Sequence, residues 1–107
     1  MDLDAKKELY SKTIALAGLE LKGKNMLYTS SNGYMFSQLN KVGEIGIRLS
    51  KSDIADFDAQ FGAHPFKSYG ATMREYVLIP ENIHNDLQVL SEWLKKGYQY
   101  VCSLPPK

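Results

Sequence analysis

At 107 residues, with a formal net charge of +1, the chain has the length of one domain spanning 1–107, and its balance of signs falls short of the basic footprint of a dedicated nucleic-acid binder. The single cysteine, Cys102, rules out an internal disulfide, and no unbroken apolar run exceeds four residues, against the roughly 18 to 20 that a membrane helix needs. The opening MDLDAKKELY is charged where a secretory signal requires an apolar run, so a reducing cytoplasm is the expected location.

Residues 4–17 are good helix formers with Leu9, Ile14 and Ala17 on one side, and Gly18 follows where a helix end favours a left-handed residue. The stretch NMLYTSSNGYMFSQLN holds two β-prone runs. Asn32 and Gly33 between them suit the positive dihedrals of a tight hairpin turn. After a second turn at NKVGE, Ile45, Ile47 and Leu49 alternate with Glu44, Gly46 and Arg48, which predicts a strand with one buried face and one wet face. The period then becomes helical: Ile54, Phe57 and Phe61 recur on one side, with Ser50 or Ser52 as the cap and Gly62 at the end. Pro65 pushes His64 toward an extended conformation, so HPFKSYG reads as a brief strand or turn, and MREYVLIP as a further strand. Residues 76–79 are all apolar, which places that strand inside a sheet rather than at its edge. A last, longest helix is predicted after Pro80, with Ile83, Leu87, Leu90, Leu94 and Val101 in its stripe, ending before the Pro105-Pro106 pair.

The predicted order of helix, three antiparallel strands, helix, one or two strands and helix is α+β: two layers, with an antiparallel sheet of four to five strands. Tyr34 and Phe36 are expected to point one way from the second strand and Met35 and Leu39 the other. The far side of the sheet therefore needs cover, from helices on both faces or from a second copy of the chain in a homodimer.

An ordered set of short motifs resembles the TfoX N-terminal domain family, the front part of the TfoX/Sxy regulators of bacterial natural competence. The set comprises Met26 with NGYMF, the strand-to-helix run IGIRLSKSDIADF, and a G-x-x-P-F corner at Gly62, Pro65 and Phe66. It continues with an M-x-x-Y strand at Met73 and Tyr76 ending in Pro80, and a final helix bearing Leu90 and Trp93. The resemblance covers nearly the whole chain. Where family members commonly read M-F-G-G, this sequence reads MLYTSSNG. The competence regulators carry a second, helical domain, so the resemblance implies a stand-alone front domain with a fold like that of the secretion chaperones. It also implies a regulatory role, and it brings no catalytic residues.

The residues themselves offer three functional readings. The window GAHPFKSYGATMREY concentrates His64, Lys67, Tyr69 and Arg74; they read as a structural corner, or as a small-ligand or anion site of a small enzyme. Tyr28, Tyr34 and Phe36, with Lys22, Lys24, Lys41 and Arg48, form a nucleic-acid alternative of stacking rings and phosphate contacts, interrupted by Glu20, Glu44 and Glu75. Trp93, Tyr98 and Tyr100 give the last helix a face for protein contact, with Trp93 expected against the sheet.

His64, His84 and Cys102 have no zinc spacing, and Asp53, Asp56 and Asp58 lack the calcium-loop pattern and read as a solvated helix face. Cys102 reads as a small buried apolar residue. No phosphate-binding, nucleophile-elbow or dinucleotide motif is present, so neither a metal nor a cofactor is expected. The leading expectation is a non-enzymatic regulatory domain that works by contact with a protein partner.

Overall fold

The computed structural model describes residues 2–68 and 70–107. Helix α1 (Leu3–Leu16) is followed by strands β1 (Tyr28–Ser31), β2 (Tyr34–Leu39) and β3 (Ile45–Arg48). Next come helix α2 (Lys51–Phe61), strands β4 (Pro65–Ser68) and β5 (Ala71–Leu78), a single 3-10 turn (Glu81–Ile83) and helix α3 (Leu87–Ser103). The five strands form one antiparallel sheet in the order β1-β2-β3-β5-β4, so this is an α+β fold with helices at the beginning, middle and end. Strand β5, with its apolar run, is flanked on both sides, as the sequence predicts.

Local chemistry explains most boundaries. The side chain of Asp2 accepts the Ala5 N–H at the start of α1, and Ser50 accepts the Asp53 N–H at the start of α2. Asn32 and Gly33 take φ of 57° and 86°, the two successive left-handed residues that close a two-residue hairpin with the twist of its strands. Asn32 also ties the hairpin to α3, since its Nδ2 donates to Val101 O (2.9 Å) and Leu104 O (2.8 Å) and so satisfies carbonyls at the end of that helix. Helix α3 begins later than predicted, at Leu87, because the Asp86 side chain takes the Val89 N–H and caps it there.

The main core lies on one side of the sheet. Ile45, Ile47, Leu49, Val77 and Ile79 meet Tyr10 and Ile14 of α1, Phe57 of α2, and Leu90 and Leu94 of α3, in one cluster. Side chains of this size are each worth about 1.5–3 kcal/mol when fully buried. Trp93 packs edge-on against Phe57 of α2, with ring centroids 5.0 Å apart.

Several expectations are corrected. Phe36 and Leu39 both face the helices: Phe36 meets Tyr98 of α3 edge-on at 5.9 Å and Leu39 belongs to the main core. The cause is a β-bulge. Thr29 pairs with Ser37 but Ser30 with Met35, so Phe36 is an extra residue that resets the alternation of β2.

The second face of β3 is not wet. Gly46 is buried under the ring of Phe66, which itself is fully buried and stacks on Tyr76 at 5.9 Å. The chain thus covers much of its own far face. Cys102 is exposed, near the end of α3, with its sulfur 3.5 Å from Ser31 Oγ.

Candidate functional site

Among the described residues of the corner that begins at Gly62, His64 and Arg74 do not share the cleft that Lys67 borders. His64 is exposed and its carbonyl accepts the Leu78 N–H at 2.9 Å. Lys67 and Arg74 are also exposed, while Tyr69 lies outside the described residues. Lys67 borders a cleft of about 350 Å³ with Met26, Asn40, Lys41 and Val42, a lining that includes neither His64 nor Arg74.

The aromatic and basic residues of the nucleic-acid reading are largely engaged within the chain. Phe36 is 1% exposed, and Tyr28 is half-buried at the sheet edge. The Tyr34 hydroxyl donates to Pro105 O at 2.6 Å, and the cations of Arg48 (5.5 Å) and Lys107 (5.1 Å) both lie over its ring. Arg48 in turn donates to Glu75 Oε1 through Nε (3.1 Å) and Nη2 (2.6 Å) and sits 5.5 Å from the Tyr100 ring. Glu75 Oε2 accepts from the Tyr100 hydroxyl at 2.6 Å. That hydrogen bond, with Arg48, holds the Glu75 carboxyl below its usual range and raises the Tyr100 phenol. Glu75 does this from a left-handed backbone, φ 66°, which costs a non-glycine residue about 1–2 kcal/mol.

A second polar network runs under α1. Lys6 is buried and its Nζ lies 2.6 Å from His84 Nδ1, while also pairing with Glu81. His84 is 2% exposed and its Nε2 faces Ile79 O at 3.2 Å. This arrangement fixes the imidazole as neutral: Nε2–H donates to the carbonyl and Nδ1 accepts from the ammonium. Burial first, and then the Lys6 charge, hold its pKa below the usual histidine value. Tyr10 completes the polar underside of α1, with its hydroxyl 2.5 Å from Ser37 Oγ, which is itself 2.5 Å from Thr29 Oγ1. Apart from the exposed Glu81 carboxylate, these groups are buried and hydrogen-bonded, which suits structure rather than turnover.

A cleft of about 490 Å³ opens between the end of α1, the following loop, β1 and α3. Phe36 and Tyr98 give it an aromatic side. Lys22 and Lys95 border it with Glu20, Ser30 and Ser31. Four large apolar side chains of the described residues are exposed; Tyr98 (39%) lines this cleft, and Leu16 (51%) and Leu21 (37%) adjoin lining residues in sequence. The sequence singles out Lys22 and Tyr98 in separate roles and gives no sign of Leu16, Leu21, Ser30 and Lys95. No periodic or motif signal joins them, because three separate elements meet there. The chain matches no protein-family model and no curated protein.

Proposed function

We propose that this chain is a non-enzymatic domain that works by protein contact, in a regulatory role related to that of the N-terminal domain of the TfoX/Sxy competence regulators. The observation that carries the reading is the exposed Tyr98 in the lining of the 490 Å³ cleft, with Leu16 and Leu21 exposed on the chain segments that flank lining residues in sequence. Scattered exposed apolar residues are ordinary, whereas a group of them around an aromatic-floored cleft is the surface a partner buries. The far face of the sheet is the weaker alternative, since Phe66 and Tyr76 already close over it. The family relation rests on the ordered motifs in Met26–Phe36, Gly62–Phe66 and Leu90–Trp93.

The test is affinity capture from the source cells, comparing the wild-type chain with a Leu16→Ser, Leu21→Ser, Tyr98→Ser triple variant. The expected result is a partner that rebinds the wild type when purified and is lost by the triple variant at unchanged fold. Equal recovery by both chains contradicts the reading. A dimer of this chain broken by the same variant makes the occupant a second copy.

A further inference from the structure

Strand β1 forms one edge of the sheet, and among the described residues only its first residue is paired on the outer side. Tyr28 exchanges both backbone hydrogen bonds with Lys22, at 2.9 and 3.0 Å, across a single bridge. Backbone groups alternate in direction along a strand, so those of Thr29 and Ser31 turn inward to β2 and those of Ser30 turn outward. The bulge does not disturb this alternation, because its extra residue, Phe36, belongs to β2. Ser30 therefore presents an N–H and a C=O along the side where Lys22 leaves off, and Ser30 and Ser31 border the 490 Å³ cleft. An unpaired strand edge opening into a cleft is a template for one more strand.

The surroundings select the chemistry of that strand. Lys22 and Lys95 border the cleft against one acidic residue, Glu20, and the exposed ring of Tyr98, backed by the buried Phe36, supplies the apolar side. Lys22 Nζ already reaches along the edge to Ser30 Oγ at 2.8 Å.

We propose that an extended acidic segment of the partner protein adds to the outer edge of β1, pairing with Ser30. Its apolar side chains turn toward Phe36 and Tyr98 and its carboxylates toward Lys22 and Lys95. This rests on the contact reading above and names its partner class. Main-chain pairing supplies affinity and the alternating side chains supply selectivity. The two lysines distinguish an acidic strand from a basic one by charge.

The experiment uses the full chain and two fluorescein-labelled peptides, one alternating glutamate with valine and one alternating lysine with valine, followed by fluorescence anisotropy. The glutamate peptide is expected to bind saturably and the lysine peptide not to bind. Lys95→Glu, at an exposed site, is expected to weaken binding by about tenfold or more. Ser30→Pro removes an outward N–H, which an edge strand tolerates, together with the hydroxyl that accepts from Lys22 Nζ, and is expected to do the same. Equal binding of both peptides, absence of binding at millimolar concentration, or wild-type affinity in both variants overturns the proposal. If the peptides fail while the triple variant still loses its captured partner, strand addition falls and the contact reading stands. If the peptide binds as described while capture is unaffected by the triple variant, the contact reading fails at Leu16, Leu21 and Tyr98 instead.

Discussion

A Gly46→Ala substitution tests the closed far face of the sheet. A Cβ at this position would lie well inside 3.0 Å of three ring carbons of Phe66. The ring is fully buried and stacked on Tyr76, so the added methyl forces it either to press into its neighbours or to leave. Overpacking costs about 1–3 kcal/mol, and expelling a buried phenylalanine forfeits about 1.5–3 kcal/mol. Against this stands about 0.5–1 kcal/mol gained when alanine replaces glycine in a strand. The net expectation is a loss of about 1.5 kcal/mol. In a Phe66→Ala background the clash is gone, so the same substitution should be neutral or gain about 0.5 kcal/mol. Urea unfolding of all four chains, at one fixed concentration of trimethylamine oxide to keep the Phe66 variants folded, measures the cycle. The reasoning is refuted if Gly46→Ala is neutral in the wild type, or equally costly in both backgrounds.

Three further outcomes follow from the polar networks. The folded state holds the His84 pKa below its unfolded value of 6.5, so it binds fewer protons than the unfolded chain; stability is complete above about pH 6.5 and falls as the pH drops below it. His84→Gln keeps an acceptor for Lys6 and a donor for Ile79 O, so it should flatten the change in unfolding midpoint between about pH 7.5 and 5, a range set by the ordinary histidine pKa. Glu75→Ala should destabilise by about 1–3 kcal/mol by leaving Arg48 unpaired, and Glu75→Gly by about 1 kcal/mol less because it relieves the left-handed backbone; equal thermal midpoints would remove the strain argument. Asn32→Gly preserves the turn but removes two side-chain hydrogen bonds to the end of α3, with an expected cost of about 1–3 kcal/mol in chemical unfolding.

What the sequence disclosed is what neighbours along the chain decide. The Asn32-Gly33 turn, the Ser50 cap, the alternation of Ile45, Ile47 and Leu49 toward the helices, and the Phe57 stripe are all written within a few residues. The wet face assigned to β3 failed because Phe66 arrives from two strands away in the sheet, and a glycine in an alternating pattern reads the same whether water or a ring covers it. The Phe36 alternation failed because one inserted residue leaves no mark in composition. Lys6 and His84 meet across 78 residues, so a charged residue in the first turns of α1 gave no sign of being buried. The contact surface was legible only in fragments. Lys22 and Tyr98 stood out for their chemistry, but the exposure of Leu16 and Leu21 and the outward turn of Ser30 depend on how α1, β1 and α3 assemble.

Site-specific photo-crosslinking tests the contact account most directly. With p-benzoylphenylalanine in place of Tyr98 in the full chain, irradiation of the source cells should yield an adduct with a partner protein. The same probe in place of Val42, which is 71% exposed on the β2–β3 turn, should yield none. Adducts of equal yield from both positions, or none from position 98, would contradict the claim that the surface between α1, β1 and α3 is where this protein meets its partner.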